Sequence, residues 1–472
     1  MTEVSASRKT TVSGWWLHPA FIFSAVWVVT LSIWALLPPE EFLRLTGTTR
    51  YVSFSSLAYL AMALASFVLG ANFGPRLLGA MRPAQFPISW DQVLLVRVLR
   101  NATMLALSIG LAASAIMLYG ASELAGGIGP LIGRYLSGAS WSRLTEVYFL
   151  AGRLHGVTSW VHCNTAVAPL ASLGVMLASR NRRSVAFFKF ALVIGFLNAA
   201  LLAVTQSERL ALYEFVVPVV VTVVGARIAT RETIPRRRVA TLAAVLIIVV
   251  AGSWFVSEYG RTYLSRYGDA TSAPSSAQVA SDQLLAYVVT NVNNGLYTVD
   301  HARQFSFPLY TLNGFLTPFG FDSPATPFLG PASSEASRLL DEIYPTSPFT
   351  TFSLPGYAFL ELGWGGIVLM CWLGAFVGLT YSRLRAGEVW AVLVYPLVVV
   401  GLLDSFRIFY WTESRAMIAA GFILVVVAMM PHTIQRPRGL FPAPLKNTGH
   451  RQSTGAVSGS AVPASGATRH KA

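Results

Sequence analysis

Residues 241–256 read TLAAVLIIVVAGSWFV, and residues 367–381 read IVLMCWLGAFVGLTY. Both runs are apolar enough to belong to membrane-spanning helices. Between them lies a polar stretch, residues 257–356, which is too long for a turn and is of the length at which loops are usually functional or disordered. Aromatic residues recur throughout it, which argues against disorder. We therefore interpret this stretch as a folded loop that covers a reaction site at the membrane surface.

The composition of the whole chain predicts a membrane protein. The chain has 472 residues, of which 54% are hydrophobic and 12% charged, and its mean hydropathy is +0.55. A soluble domain would carry about a quarter charged residues. The net charge of +14 would suggest nucleic acid in a soluble protein, but basic residues gather on the cytoplasmic side of membrane proteins, so no nucleic-acid partner is expected. Cys163 and Cys371 both lie in apolar runs, and we interpret them as small core residues.

The hydrophobic pattern predicts an all-α, polytopic membrane bundle of about ten spans. At about 1.5 Å per residue, each apolar run reaches across or nearly across a hydrocarbon core of about 30 Å. The first run lacks a small-residue cleavage site and is expected to remain as an anchor. The predicted spans are 20–37, 51–74, 93–119, 158–178, 185–204, 210–226, 239–256, 357–381, 389–403 and 415–431.

The distribution of arginine predicts the orientation of these spans. Short connections such as 179–184, 227–238 and 382–388 are rich in arginine, whereas acidic residues outnumber arginines in the long loop. Because basic residues mark the cytoplasmic side, both termini are expected inside and the long loop outside. The predicted segments are a cytoplasmic N-terminus (1–19), spans one to seven (20–256), a large extracytoplasmic loop (257–356), spans eight to ten (357–431) and a basic, disordered cytoplasmic tail (432–472). Within the loop we expect short helices near 280–303 and 333–343.

Charged residues at the predicted outer ends of spans are the candidate chemical groups. A charge in or near lipid is expensive and usually faces a cavity or a partner. Several arginines at one mouth would suit a diphosphate, because the planar guanidinium binds phosphate oxygens in a bidentate manner. The alternative is that Arg407–Asp404 and Arg209–Glu208 are only local ion pairs, or that single arginines reach the lipid headgroups. These charges are Arg209, Arg261, Arg266, Glu361, Asp404, Arg407, Glu413 and Arg415, and Arg303 in the long loop is a further candidate for binding substrate.

Three tyrosines and three histidines are further candidates. Tyr259, Tyr263 and Tyr267 recur every four residues, so a helix that continues span seven would stack them on one face. Such a face could bind sugar rings, or it could be an interfacial aromatic belt. His155, His162 and His301 could each act as a general base near neutral pH, although a lone histidine is more often structural. No nucleotide fingerprint and no metal-ligand spacing is present, and we expect no cofactor or metal.

Four stretches of the chain resemble the Wzy-type polymerases of oligosaccharide repeat units, which build O-antigens, capsules and other surface polysaccharides. The first two are HPAFIFSAVWVVTLSIWAL (18–36) and TQSERLALYEFVVPVVV (205–221), in which an external turn carries an arginine. The other two are EYGRTYLSRYG (258–268) and TTFSLPGYAFLELGWGGIVLMCWLGAFVGLTY (350–381). Arg303 and Gly314 also match an arginine–glycine spacing of some members.

The resemblance implies a GT-C-like membrane glycosyltransferase at the outer face of the bacterial inner membrane. Such an enzyme moves a glycan from one undecaprenyl-diphosphate carrier to the non-reducing end of the next lipid-linked repeat unit, and works with a chain-length regulator. External arginines would hold the leaving diphosphate, and a base would activate the acceptor hydroxyl. Arg209 matches the turn arginine of the family, Arg261 the arginine at the start of the loop, and Glu361 the acidic position at its end. His162 remains a candidate base.

Two alternatives remain at this stage. An O-antigen ligase-type transferase would use the same donor with a different acceptor. A flippase or other transporter of lipid-linked sugars would belong to another class, in which internal pseudo-symmetry and helices broken at mid-membrane are typical. The chain shows no matched halves, and its candidate charges lie at the external mouth.

Overall fold

Every regular element in the described part of the chain is helical, and the chain forms a bundle. The structure is a computed structural model that describes residues 14–77, 92–136, 141–150, 154, 156–178, 181–205, 210–230, 235–267, 274–306, 312, 330–343 and 351–430. Arg209, His155 and Gly314 lie outside the described residues. So do the predicted cytoplasmic tail and most of the predicted N-terminal segment.

Seventeen α-helices lie in the described part of the chain. Before the loop they are α1 (Pro19–Leu36), α2 (Pro39–Thr46), α3 (Phe54–Leu77), α4 (Gln92–Ala125), α5 (Ile128–Leu136), α6 (Trp141–Leu144), α7 (Cys163–Leu177), α8 (Arg182–Thr205), α9 (Leu210–Ala229) and α10 (Arg236–Glu258). From the loop onward they are α11 (Leu264–Tyr267), α12 (Ser276–His301), α13 (Gly330–Ile343), α14 (Leu354–Leu362), α15 (Gly366–Arg385), α16 (Val389–Leu403) and α17 (Ser414–Ala428).

Eight helical segments of the described chain are long and apolar enough to cross a membrane, which is the pattern of a multi-pass membrane protein. They are Pro19–Leu36, Phe54–Arg76, Gln92–Ala125, Ser159–Leu177, Arg182–Thr205, Leu210–Ala229, Ala240–Tyr263 and Leu354–Arg385. The other two predicted spans correspond to α16 and α17, which are apolar but have only 15 residues each. At about 1.5 Å per residue such a helix is about 22 Å long, less than the hydrocarbon core.

The closest helix pair, α3 with α15, packs through small residues on both partners. Gly70 and Gly74 on α3 face Cys371 and Ala375 on α15, and Gly374 faces the backbone of α3. A Cβ atom on Gly374 would lie 2.1 Å from the carbonyl oxygen of Phe67, a distance that no real contact allows. Small residues spaced four apart let helix backbones approach closely in membrane proteins. The packing of these two spans therefore depends on the absence of side chains at these positions.

The long loop contributes one buried helix, α12, which lies across one end of the bundle. The helix contacts α2, the short helix between α1 and α3, and it also packs against α1, α3, α10 and α14. Neighbouring segments form hydrogen bonds with part of its buried polar face. The Asn293 side chain accepts from the Tyr51 amide at 2.6 Å, and Asn294 donates to the Thr351 carbonyl at 2.8 Å. We call this end of the bundle the α12 end.

The predicted loop helices are confirmed, and one is more deeply placed than expected. The predictions near 280–303 and 333–343 correspond to α12 and α13. However, α12 is 26 residues long, and Val289, Val292 and Leu296 belong to the main hydrophobic core. The sequence suggested short helices in a lid. Instead, one face of α12 packs against the bundle through its apolar residues. The asparagines beside them can be buried there because they form hydrogen bonds with neighbouring segments.

The opposite end of the bundle carries the arginine-rich connections. There the Tyr381 hydroxyl donates to the Gly14 carbonyl at 3.0 Å, and Arg383 forms an ion pair with Glu388 at 2.7 Å. Arg227 and Arg385 lie at the C-terminal ends of α9 and α15, and Arg237 lies at the N-terminal start of α10. The predicted spans alternate in direction, so successive connections are expected at opposite ends of the bundle. The α12 end and the arginine-rich end agree with this pattern.

Candidate functional site

At the α12 end, α16 finishes in a turn that carries a mostly buried ion pair. Nη2 of Arg407 lies 2.9 Å from a carboxylate oxygen of Asp404, and the two side chains are only 13% and 10% exposed. The local ion pair considered as the alternative for these residues is therefore present. Charges this poorly hydrated are costly unless they are paired. The same pair also contacts Tyr287 of α12 and lines a cavity, so its charges are available to a ligand there.

Tyr287 of α12 joins this pair to the long loop. Nη1 of Arg407 donates to the Tyr287 hydroxyl at 3.1 Å, and the guanidinium carbon lies 5.5 Å from the centre of the tyrosine ring. Trp254 of α10 packs edge-on against the same ring at 5.8 Å and donates to the Ala280 carbonyl at 3.0 Å. The aromatic residues thus hold α10 and α12 beside the end of α16.

A second charged pair lies between α9 and the start of α17. Nη1 of Arg415 is 3.6 Å from a carboxylate oxygen of Glu214, whose side chain is 1% exposed. The buried phenol of Tyr410 lies within the electrostatic influence of both groups. Glu214 is not among the candidates predicted from the sequence. The signal was available, because a carboxylate within LALYEFVVPVVV is an ionisable residue inside an apolar span.

A cavity of about 690 Å³ adjoins the Asp404–Arg407 pair. It lies between the ends of α9, α10, α12 and α16, and its volume falls within the range of about 300–1,000 Å³ typical of ligand sites. Its polar boundary includes Tyr213, Tyr287, Asp404 and Arg407, and the rest of its wall is chiefly apolar. The apolar and small lining residues are Leu210, Leu246, Ile247, Val250, Ala251, Trp254, Phe255, Ala277, Ala280, Leu284, Leu403 and Phe406.

Arg261 and the tyrosine series follow α10 in a turn of π-helix. The π-turn runs from Tyr259 to Tyr263, and such turns are frequent at functional sites. The rings of Tyr259 and Tyr263 are stacked with centres 5.4 Å apart, and those of Tyr263 and Tyr267 are 5.8 Å apart. The prediction that these tyrosines share one face is confirmed. Arg261 is half-buried, and its segment packs against α12 and α6.

Arg303 lies far from Arg407, at the other end of α12. The helix between Tyr287 and His301 is about 21 Å long at a rise of about 1.5 Å per residue. There the Arg303 amide donates to Glu335 of α13 at 2.7 Å, and Arg338 donates to the His301 carbonyl at 2.9 Å. The structure therefore does not bring Arg303 to the same mouth as Arg407.

A clasp of hydroxyl groups holds this far end of α12 to the start of α3. The Asp300 carboxylate accepts from Tyr51 at 2.7 Å and from the hydroxyls of Ser53 and Ser55. Burial alone would raise the pKa of Asp300, but these hydrogen bonds hold it below its ordinary value. The ring of His301 stacks on that of Tyr297 with centres 3.8 Å apart.

The remaining candidates occupy separate positions at the α12 end. Glu361 is fully buried in α14, a short helix that ends before span eight continues as α15, because Gly363 adopts φ +55° and breaks the run. The first residue of α14, Leu354, donates its amide to the Ser405 carbonyl beside Asp404. His162 is buried at the end of a helical turn that packs against α4 and α17. Arg266 is exposed on α11.

Among the residues that the structure describes, no group of three or more His, Cys, Asp or Glu side chains is placed to hold a metal ion. Comparison of the chain with protein-family models, with curated proteins and with solved structures finds no match. Tyr213, Trp254 and Tyr287 are also absent from the sequence-based candidates, since only the fold shows that their helices converge.

Proposed function

We propose that the protein polymerises lipid-linked oligosaccharide repeat units by glycosyl transfer at the α12 end of the bundle. The donor is a glycan on undecaprenyl diphosphate, and the acceptor is the non-reducing end of another lipid-linked unit. The bond between the anomeric carbon and the diphosphate oxygen breaks, and a bond from that carbon to the acceptor hydroxyl oxygen forms. Undecaprenyl diphosphate leaves with the electron pair, and a base takes the hydroxyl proton.

The observation that carries this proposal is an apolar cavity with a charged end. A lipid-linked sugar diphosphate has the same division, because it joins a hydrocarbon chain to an anionic head. Arg407 lies at the charged end, and its guanidinium can exchange the Asp404 carboxylate for phosphate oxygens with bidentate geometry. Arginine directed at the leaving group stabilises charge that develops in the transition state.

Other residues of the α12 end receive roles within the same proposal. Asp404 is the carboxylate that lines the cavity, and we assign it as the acceptor of the hydroxyl proton. Arg261 follows the cavity wall along α10, about 10 Å beyond Trp254 at about 1.5 Å per residue, where it can contact the glycan side of the diphosphate. The stacked tyrosines of the π-turn offer ring faces to the sugars.

The proposed reaction requires one orientation of the chain in the membrane. All ten apolar helices, including the shorter α16 and α17, cross the bilayer of the bacterial inner membrane. The α12 end faces away from the cytoplasm, where lipid-linked units are polymerised and where a chain-length regulator can contact the loop. Both termini lie in the cytoplasm with the arginine-rich connections. The bundle then belongs with the GT-C-like membrane glycosyltransferases.

Reconstitution tests the reaction directly. The purified protein is reconstituted in proteoliposomes with lipid-linked repeat units. These units are extracted from a strain of the same organism in which the gene for this protein is deleted. We expect longer lipid-linked glycans and an equivalent release of undecaprenyl diphosphate, and we expect both to be lost in Arg407→Ala and Arg261→Ala. Arg182→Ala removes an exposed arginine from the opposite end and serves as the matched control.

Two other outcomes would replace the proposal. If repeat units remain single but move onto an added lipid A acceptor, the protein is a ligase-type transferase. If lipid-linked units cross the bilayer without change in length, it is a transporter. Buried charge pairs such as Glu214–Arg415 also occur in transporters, so this second outcome is a real competitor.

A further inference from the structure

The cavity at the α12 end is open along its side, between α10 and α12. Three of its lining residues are well exposed: Ile247 is 66% exposed, Leu284 43% and Phe255 40%. Ile247 and Phe255 lie on α10, and Leu284 lies on α12. Helix α10 itself is peripheral, because only 6% of its membrane-spanning window is buried. The opening therefore lies on the flank of the bundle and at the level of the membrane.

The cavity changes in chemistry from this opening to its interior. Most of the exposed lining side chains at the opening are apolar, including the small Ala251 and Ala277, and Ser281 is the polar exception. Farther in, the lining residues Asp404 and Arg407 are mostly shielded from solvent. A ligand that enters from the side therefore contacts mainly apolar side chains first and the Arg407 guanidinium last.

We infer that the slot between α10 and α12 is a lateral portal that admits a polyisoprenyl phosphate lipid from the bilayer, with its phosphate at Arg407. The inference rests on the proposed function for the identity of the head group. A long polyisoprenyl chain is larger than 690 Å³, so part of it must remain in the bilayer while the head is bound. Only a cavity with a side opening allows both ends of the lipid to be in place at once.

The shape of the slot favours a single branched chain over a phospholipid. A phospholipid has two chains that diverge from one glycerol, whereas the opening of this cavity is a single gap between α10 and α12. The small side chains of α10 and α12 leave room for the methyl branches of an isoprenoid. The polar residues at the end of the slot include the Tyr287 hydroxyl, which can donate to a phosphate oxygen once Arg407 turns toward the ligand.

Photocrosslinking tests the portal without requiring turnover. p-Benzoylphenylalanine replaces Ile247 or Leu284 at the rim, and Val368 of α15, which is 60% exposed but does not line the cavity, serves as the control. Each variant is placed in phosphatidylethanolamine–phosphatidylglycerol vesicles with radiolabelled undecaprenyl phosphate. We expect saturable labelling at the two rim positions that excess unlabelled undecaprenyl phosphate abolishes, and only weak, non-saturable labelling at Val368.

A cavity-filling variant provides the second arm. Ala251→Trp places an indole in the slot, and Gly252→Trp places the same group at the next position of α10, where a Cβ atom meets open space. In the Leu284→p-benzoylphenylalanine background we expect Ala251→Trp to lower saturable labelling by roughly tenfold, which corresponds to about 1.4 kcal/mol of binding free energy. Gly252→Trp should leave the labelling unchanged.

The outcomes separate the portal from the proposed reaction. Equal, non-competable labelling at all three positions, or competition by phosphatidylglycerol as effective as by undecaprenyl phosphate, would overturn the portal. If transfer is observed while the rim is not specifically labelled, the reaction stands and the portal falls. If the rim is saturably labelled and no glycan transfer or release of undecaprenyl diphosphate occurs, the portal stands and the proposed reaction falls.

Discussion

Arg407 and Tyr287 connect the end of α16 to the long loop, which lies far from it in the sequence. The guanidinium donates to the phenol at 3.1 Å and lies 5.5 Å from the centre of the ring. Since Tyr287 belongs to α12 and Arg407 follows α16, this contact fixes the loop helix over the apolar cavity. A charged pair that would otherwise be a local feature of one turn thereby becomes part of a site built from four helices.

Removal of the Arg407 charge should abolish transfer for a reason other than instability. Arg407→Ala leaves Asp404, 10% exposed, without its guanidinium partner, and removal of one member of a buried pair costs about 3–5 kcal/mol. The double variant Asp404→Asn/Arg407→Ala removes the unbalanced charge and should recover most of the melting temperature in detergent. Transfer should remain absent in both variants. Polymer synthesis by the double variant at the normal rate would show that Arg407 has only a structural role.

The contact of α3 with α15 should be intolerant of a single methyl group. Gly374→Ala places a Cβ atom against the Phe67 carbonyl oxygen, so the two backbones must separate. Overpacking of this kind costs about 1–3 kcal/mol, and the melting temperature of the purified protein should fall accordingly. Gly421→Ala on α17 is the matched control, because a Cβ atom there meets nothing within 4 Å. Identical melting temperatures for the two variants would contradict the close packing.

Opposite ends of the bundle should be labelled from opposite sides of the membrane. In a background with Cys163→Ala and Cys371→Ala, Phe305→Cys reports on the α12 end, and Arg385→Cys reports on the arginine-rich end; both native residues are exposed. A thiol reagent that cannot cross the inner membrane should label Phe305→Cys in spheroplasts and should label Arg385→Cys only after lysis. The reverse pattern would invert the orientation and exclude an extracytoplasmic reaction at Arg407.

The docking of α13 onto α12 should weaken in acid. Arg338 and the amide of Arg303 hydrogen-bond to Glu335 and hold its pKa below the ordinary value. A depressed pKa stabilises the docked form above the unfolded pKa, about 4.3, and this contribution is lost as the pH falls through the lower pKa of the folded state. Amide exchange in α13, corrected for intrinsic rates, should therefore accelerate below about pH 4.3 in the native protein. Glu335→Gln should show little further dependence on pH over the same interval.

The sequence determined the elements of this protein, but not which of them meet. Hydrophobic runs predicted each apolar helix, because a span must be apolar along its length whatever it packs against. Tyr259, Tyr263 and Tyr267 were placed on one face correctly, since their spacing is a local property of a helix. The depth of α12 was not predicted. Its asparagines appear solvent-directed in the sequence, and only their partners on other segments allow them to be buried.

For the candidate site, the sequence predicted some of the residues, whereas only the tertiary structure showed which of them lie together. Arg407, Arg261 and Glu361 were selected from sequence because charges beside spans are costly and therefore informative. Only the tertiary structure brings Tyr287 to Arg407, places Glu214 beside Arg415, and puts Arg303 just beyond the far end of α12. The helix from Tyr287 to His301 is about 21 Å long at about 1.5 Å per residue. The tertiary structure also created the cavity, which no segment encloses by itself. Local sequence fixes secondary structure and hydrophobicity, whereas a site between helices depends on packing across residues far apart in the chain.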